Sequence, residues 1–85
     1  PSIKNTIKIY PNPFQNSTSI KTDNHQSINK VEVFDIMGKK VETVDNTEKK
    51  STLKFGLNLK PQMYFVQVYG DDYKKTFKVL KSSDN

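Results

Sequence analysis

The chain of 85 residues has room for one domain with a thin core, and this length excludes two domains. It contains no cysteine, which excludes disulfides, thiolate catalysis and cysteine-based metal sites, and no apolar run long enough to predict a membrane-spanning helix. The net charge of +5 comes from 14 lysines and no arginine, so the chain lacks the guanidinium group that grips phosphate or carboxylate at two points.

The first two strands are predicted on either side of a proline-rich segment. Lys4 to Tyr10 is predicted as a strand because two isoleucines alternate there with polar side chains. Ser17 to Thr22 surrounds one apolar residue with β-branched and polar residues, which favours a weak strand at the edge of a sheet. The polar segment that follows, Asp23 to Asn29, is predicted to be a loop.

Between these strands lies a predicted rigid corner. Pro11 and Pro13 each fix φ near about −65° and lack an N–H group, so the first strand has to end there and that edge cannot recruit a neighbour. Asn12 can take a turn conformation between the two prolines. We expect Phe14, which follows at once, to plug one end of the fold.

The middle of the chain predicts a hairpin that begins with a central strand. Lys30 to Ile36 carries apolar side chains on both faces, which is typical of a strand covered on both sides. Gly38 then provides a residue that adopts positive φ at little cost, and Val41 to Val44 returns as the second arm. The polar segment Asp45 to Ser51 is predicted to be exposed.

Ser51 to Lys60 has the clearest alternation in the chain and is predicted as a strand with one buried face. Burying one large aliphatic or aromatic side chain stabilises a protein by roughly 1.5–3 kcal/mol, so this strand is expected to carry much of the core, and Leu57→Ala to cost roughly 2–5 kcal/mol. The four residues expected on the buried face are Leu53, Phe55, Leu57 and Leu59.

Two more strands complete the set. After a turn at Lys60 to Gln62, Met63 to Tyr69 is apolar on both faces and is predicted as a second central strand. A tight turn at Gly70 to Asp72 leads to the final strand, Tyr73 to Lys81. The residues of this strand expected to face inward are Phe77 and Val79.

Together these segments predict an all-β fold. Seven short strands, separated by turn residues at intervals of roughly 8–12 residues, are typical of an antiparallel β-sandwich of immunoglobulin type. A small closed barrel is the alternative architecture.

No set of residues predicts an active site or a metal site. The only histidine, His25, lies in a polar loop without a partner at metal-ligand spacing, which favours a surface position. Asp71 and Asp72 are better explained by a hairpin turn than by calcium, because the other oxygen ligands of a calcium loop are absent. We therefore expect no catalytic residue, no metal and no cofactor.

The aromatic residues are compatible with two binding functions. Aromatic residues interleave with lysines near the end of the chain, as in a platform for stacking nucleic-acid bases, but core aromatics of a sandwich give the same pattern and arginine is absent. A module that binds carbohydrate is the stronger alternative if Tyr10, Tyr69 and Tyr73 share one exposed face. A spacer domain of an adhesin is a third possibility.

Four motifs in order carry a family resemblance. The chain contains the four motifs IYPNPF, VEVFDIMGKKV, MYFVQVY and the lysine-rich KTFKVLK in this order, with a leucine-rich alternating stretch between the second and the third. This order resembles the type A C-terminal sorting domain of the type IX secretion system, which is found at the ends of cargo proteins of Bacteroidetes bacteria. The resemblance covers nearly the whole chain, and four motifs in order are far more specific than any one of them.

The resemblance also implies which residues matter for recognition. One departure from the family pattern is Gln62, which stands where glycine is usual, so the turn there is expected either to avoid positive φ or to accept backbone strain. Another departure is the tail of four residues, Ser82 to Asn85, that follows the final lysines. Of these lysines, we expect Lys78 and Lys81 to be exposed. The matching motif residues are Tyr10, Pro11, Asn12, Pro13, Asp35, Gly38, Tyr64, Lys75, Lys78 and Lys81.

By this resemblance the chain is a folded, non-catalytic address label. The family implies passage from the periplasm through an outer-membrane translocon, followed by cleavage by a sortase-like peptidase that attaches the cargo to anionic lipopolysaccharide or releases it. Residues 1–85 are then expected to be a single sorting domain, a fragment of a longer secreted or cell-surface protein with cargo upstream. Neither a nucleic-acid partner nor a transmembrane segment is expected.

Overall fold

A computed structural model describes residues 7–22 and 27–83, and these residues form seven strands and no helix. The part of the first predicted strand before Ile7 and the predicted surface position of His25 lie outside the described residues. The strands are β1 (Ile7–Tyr10), β2 (Thr18–Thr22), β3 (Lys30–Phe34), β4 (Lys40–Asp45), β5 (Thr52–Phe55), β6 (Met63–Tyr69) and β7 (Lys74–Leu80).

The strands form two antiparallel sheets that pack face to face. One sheet has the order β1-β2-β5 and the other the order β4-β3-β6-β7. The predicted immunoglobulin-like sandwich is therefore confirmed. The buried apolar residues between the sheets are Phe14, Ile20, Ile28, Val31, Val33, Leu53, Phe55, Tyr64, Val66, Val68 and Val79.

The two strands predicted to be central are central. β3 and β6 pair with each other in the middle of the four-stranded sheet, with Val31 opposite Val68 and Val33 opposite Val66. All four valines are fully buried. Because β-branched side chains pack well on a pleated surface, these valine pairs anchor the core from which both hairpins extend.

The prediction that β2 lies at a sheet edge is wrong. β2 is the middle strand of the three-stranded sheet, and Thr18, Ile20 and Thr22 are all buried. The hydroxyl of Thr18 donates a hydrogen bond to the carbonyl oxygen of Pro11 at 2.6 Å, which compensates for its burial. Threonine has the shape of valine, so this strand buries a β-branched face that its polar composition conceals.

The strand predicted from Ser51 to Lys60 ends early, and Leu57 is not in the core. β5 stops at Phe55 because Gly56 adopts a φ of +94°, and the N–H of Leu59 then donates to the carbonyl of Gly56 in a turn. The turn leaves the side chain of Leu57 66% exposed. The expected loss of roughly 2–5 kcal/mol for Leu57→Ala is therefore wrong, since no buried contact is removed.

The predicted hairpin after β3 is confirmed, although β3 ends at Phe34 and not at Ile36, which lies exposed in the turn. Gly38 has a φ of +87°, and the carboxylate of Asp35 accepts hydrogen bonds from the backbone N–H groups of Met37 and Lys39, both at 2.9 Å. These bonds fix the turn between β3 and β4. The turn at Gln62 avoids positive φ, because Lys49 is the only described residue other than glycine that has a positive φ.

The segment between β4 and β5 is not wholly exposed as predicted, because Asn46 is buried in it. Its amide nitrogen donates to the carbonyl oxygens of Ile28 at 2.7 Å and Lys50 at 2.8 Å, and its amide oxygen accepts from the N–H of Lys50 at 2.9 Å. A buried asparagine whose amide is bonded on both sides closes this turn from inside.

Candidate functional site

The proline-rich corner docks on the free edge of the last strand. We call Pro11 to Phe14 the corner cap. The side-chain amide of Asn12 donates to the carbonyl oxygen of Lys78 at 3.2 Å and accepts from the N–H of Leu80 at 3.0 Å. A side-chain amide thus bonds β7 as the peptide group of a neighbouring strand would, which covers a strand edge that is otherwise open to pairing.

Phe14 extends this contact and closes one end of the sandwich. Its N–H donates to the carbonyl of Leu80 at 3.0 Å, and its own carbonyl accepts from the N–H of Ser82 at 2.8 Å. Its ring is 1% exposed and packs edge to face on Phe55, with the ring centres 6.3 Å apart. The expected plug is therefore confirmed. The peptide bonds before both prolines of the corner are cis.

Gly56 lies directly under the Phe14 ring. A Cβ atom at this position would lie 2.7 Å from the ring, and the φ of +94° is one that other residues rarely adopt. The glycine therefore serves both the end of β5 and the close approach of the corner cap.

Lys81 is buried, which contradicts the expectation that it is exposed. Its ammonium group donates to the carbonyl oxygens of Gly56 at 2.7 Å and Leu57 at 3.1 Å, and it lies 5.7 Å from the centre of the Phe14 ring. The carbonyls and the ring face satisfy the charge. The alternation of β7 could have indicated this, because Lys81 is two residues beyond the inward-facing Val79.

The other lysines of the last motif point in different directions. Lys75 lies opposite the buried Val68 and is only partly exposed, whereas Lys78 lies opposite Phe65 on the outer face and is exposed. The three motif lysines therefore form no single charged patch. Of these three lysines, Lys78 is the one whose side chain is exposed among the described residues.

The remaining motif residues divide into structural and exposed positions. Tyr64 is buried, its hydroxyl donates to the carbonyl of Lys60 at 2.6 Å, and burial raises its pKa. Asp35 and Gly38 form the turn between β3 and β4, so their role is to fix the backbone conformation of that turn. Tyr10 is 79% exposed, but its side chain lies on the outer face of the three-stranded sheet, away from β7.

An ion-pair cluster that no sequence pattern predicts lies on the outer face of the four-stranded sheet. The carboxylate of Glu32 lies 2.9 Å from the ammonium of Lys40 and 3.5 Å from that of Lys30, and it accepts a hydrogen bond from the Tyr69 hydroxyl at 2.8 Å. The bonds from Lys40 and Tyr69 lower the pKa of Glu32 from 4.5 to about 2, although its burial opposes the shift. The cluster joins β3, β4 and β6 and leaves no carboxylate free for chemistry.

We expect this cluster to make stability depend on pH in a defined range. Because the pKa of Glu32 is lower in the folded protein, its contribution is complete above pH 4.5 and is lost as the pH falls from 4.5 towards 2. Glu32→Gln should cost about 1–3 kcal/mol at pH 7 and flatten this acid limb in urea unfolding measurements. The control is Glu48→Gln, because the carboxylate of Glu48 pairs with Lys50 in solvent. This variant should change the free energy of unfolding by less than about 0.5 kcal/mol. An unchanged acid limb in Glu32→Gln would contradict this account.

The described residues contain no group of three or more metal-ligating side chains. Asp71 instead uses both carboxylate oxygens locally, accepting hydrogen bonds from Asn29 at 3.1 Å and Ser27 at 3.2 Å, and these bonds lower its pKa. This arrangement agrees with the predicted turn. No helix among the described residues is long and apolar enough to cross a membrane.

The tyrosines of the carbohydrate hypothesis do not share a face. Tyr10 is exposed on the three-stranded sheet, whereas Tyr69 is partly buried on the outer face of the other sheet and bonds Glu32. Tyr73 is also partly buried, and its hydroxyl donates to the carbonyl of Ser27 at 3.0 Å. The condition on which that hypothesis depended is not met.

Comparison with known proteins gives one family. Residues 8–82 match a family model described as a secretion system C-terminal sorting domain. No curated protein matches the chain. The match includes the corner cap, both hairpins and the whole of β7.

Proposed function

Because the chain belongs to the family of secretion-system C-terminal sorting domains, we propose that its corner cap and the end of β7 together form the surface that the export machinery recognises. Domains of this family are non-catalytic sorting signals of type IX secretion, and they mark proteins for transport across the outer membrane to the cell surface or for release. The chain therefore interacts with the secretion system.

The observation that carries the proposal is the pairing of Asn12 with β7. Asn12 is 66 positions from Lys78 and 68 from Leu80, yet its side chain bonds the backbone of both. The first and the last motif of the chain are thus one surface, and this surface exists only when the domain is folded. A receptor that contacts this surface would distinguish a folded cargo domain from an unfolded one.

The outer face beside the corner cap has the composition of a recognition surface. Lys78 lies opposite Phe65, which is 39% exposed, and Leu80, 43% exposed, lies opposite Met63, 37% exposed. Adjacent exposed apolar side chains beside the exposed ammonium group of Lys78 resemble the centre and rim of a protein interface. Asn12 adds an exposed polar group at the edge of this strip.

From these features we infer the finer roles. An outer-membrane translocon contacts the corner cap and the adjoining strip, and a sortase-like peptidase then separates the domain from cargo that precedes it. Residues 1–85 act as one sorting unit of a longer protein. The domain itself performs no reaction and has no nucleic-acid partner.

The test is export of a periplasm-targeted fluorescent reporter fused in front of the chain in a bacterium with a type IX system. We expect Lys78→Glu to lower the amount of exported reporter by at least about fivefold, the factor that corresponds to a loss of about 1 kcal/mol in binding. The matched control is Lys74→Glu, which makes the same charge change at an exposed lysine at the other end of β7, opposite Tyr69.

Both variants should keep the stability of the unchanged chain, since surface substitutions usually alter it by less than about 0.5 kcal/mol. A drop in export with Lys78→Glu alone supports recognition through this surface. Equal export of the two variants would show that recognition does not involve the end of β7.

A further inference from the structure

Among the described strand residues, the outer face of the three-stranded sheet carries positive charge only. In the register of this sheet Lys8 is opposite Lys21, Tyr10 is opposite Ser19, and Ser19 is in turn opposite Lys54. No acidic residue lies among the outward-facing residues of its three strands. We call this surface the lysine face, and its residues are Lys8, Tyr10, Ser19, Lys21, Thr52 and Lys54.

The charges on the lysine face are not balanced within the described residues. The ion pairs among the described residues involve Lys30, Lys40 and Lys50. None of these pairs includes a residue of the lysine face. Like charges directly opposite each other on neighbouring strands are destabilising, so the pair of Lys8 and Lys21 is unfavourable for the isolated domain. The other sheet shows the contrast, because there Glu32 lies between two lysines.

An exposed aromatic ring adjoins these charges. Tyr10 is 79% exposed and borders a shallow groove of about 780 Å³ together with Lys8 and Lys21. A large, rigid aromatic side chain beside a rim of charges has the anatomy of a protein interface, in which the aromatic residue supplies contact area and the charges steer association.

We propose that the lysine face is a docking surface for an acidic protein surface. An anionic glycan fits less well, since carbohydrate sites use Asp, Asn or Gln acceptors beside an aromatic residue and the outward positions of β1, β2 and β5 supply none. Single-stranded nucleic acid fits less well too, because stacking requires several aromatic residues and this face has one. Lysine ammonium groups suit an acidic surface whose carboxylates are not fixed in one geometry.

The lysine face is separate from the exposed strip at the end of β7, which lies on the outer face of the opposite sheet. During export the lysine face would provide a second contact, with an acidic component of the secretion machinery. This role in export rests on the proposed function. The docking itself is a property of the isolated domain and can be measured without export.

The test is binding of poly-L-glutamate, with polygalacturonate and single-stranded DNA as alternative polyanions. One variant replaces Lys8, Lys21 and Lys54 with Gln, and the matched control replaces Lys39, Lys60 and Lys74, which are exposed elsewhere. Either set of three changes lowers the formal net charge from +5 to +2. We expect the first set to weaken binding of poly-L-glutamate by roughly tenfold and the control set by less than about threefold, because three surface charge pairs are lost only in the first.

An equal loss in both variants would overturn the proposal, since binding would then follow net charge alone. Tighter binding of polygalacturonate or DNA than of poly-L-glutamate would overturn the choice of an acidic protein. In the reporter assay we expect the first variant to be exported less than its control, and equal export of the two would refute the use of this face in export. Failure of the unchanged fusion to be exported would instead count against the proposed function and leave the binding result standing.

Discussion

Phe14→Ala is expected to lower the free energy of unfolding by about 3–5 kcal/mol, the usual loss when a buried phenylalanine is truncated. The ring is 1% exposed, contacts Phe55 edge to face and covers Gly56. Its removal opens a cavity at the end of the sandwich, where the corner cap, β5 and Lys81 meet. The cavity cannot close by repacking alone, because Phe14 is also tied to Leu80 and Ser82 through its backbone.

The matched control for this variant is Leu57→Ala. It removes an apolar side chain that is 66% exposed and lies one residue from Gly56, so it should change stability by less than about 0.5 kcal/mol. Urea unfolding followed by fluorescence or circular dichroism measures both variants. A large loss of unfolding free energy with Leu57→Ala and a small loss with Phe14→Ala would contradict this account. The core would then be filled by the leucine, as the alternation in the sequence predicts, and not by the phenylalanine.

Lys81→Glu is expected to destabilise the domain by about 3–5 kcal/mol, the range found when one partner of a buried charged interaction is removed. The ammonium group of Lys81 donates to two backbone carbonyls, so a carboxylate in its place would face the oxygens of Gly56 and Leu57 without a proton to share. Both carbonyls would also lose a hydrogen-bond donor at a site where the Lys81 side chain is buried.

Two comparisons isolate this effect. Lys78→Glu makes the same charge change three residues earlier at an exposed position and should alter stability by less than about 0.5 kcal/mol. Lys81→Met keeps much of the side-chain stem but loses the donor, and we expect an intermediate loss of about 1–3 kcal/mol. If Lys81→Glu unfolded at the same urea concentration as Lys78→Glu, the buried position of the ammonium group would be refuted.

The parts of the fold that the sequence predicts well are those set by local patterning. The central strands β3 and β6 are apolar on both faces, and no other element accommodates such residues at a period of two. Gly38 and the corner prolines mark turns through their own backbone preferences. These features need no knowledge of which strands are neighbours.

The errors arise where a local pattern continues past a structural break. The alternation from Leu53 to Leu59 is unbroken in sequence, but the positive φ of Gly56 ends the strand and turns Leu57 to solvent. The error for β2 has the converse cause. Thr18 and Thr22 pack in the core as β-branched residues, although threonine counts as polar in the composition of a strand.

The candidate site was predicted as a set of motifs and not as a surface. The resemblance pointed to Asn12 and to the final lysines, but the hydrogen bonds from Asn12 to β7 join residues far apart in the chain, and no periodicity encodes such a contact. Lys81 shows the opposite case, since its alternation with Val79 implies an inward side chain, while its charge argues for solvent. Here the backbone carbonyls of the turn after β5 supply the acceptors that make burial possible.

The most direct measurement is surface exposure of the reporter fused to the unchanged chain, assayed by protease accessibility on intact cells of a bacterium with a type IX system. The account predicts that the fused reporter reaches the cell surface or the medium, that a reporter without the chain stays in the periplasm, and that Phe14→Ala, which disrupts the folded corner, is retained. A fused reporter that stays in the periplasm, while a known sorting domain exports the same reporter beside it, would contradict the assignment of this chain as a functional sorting signal.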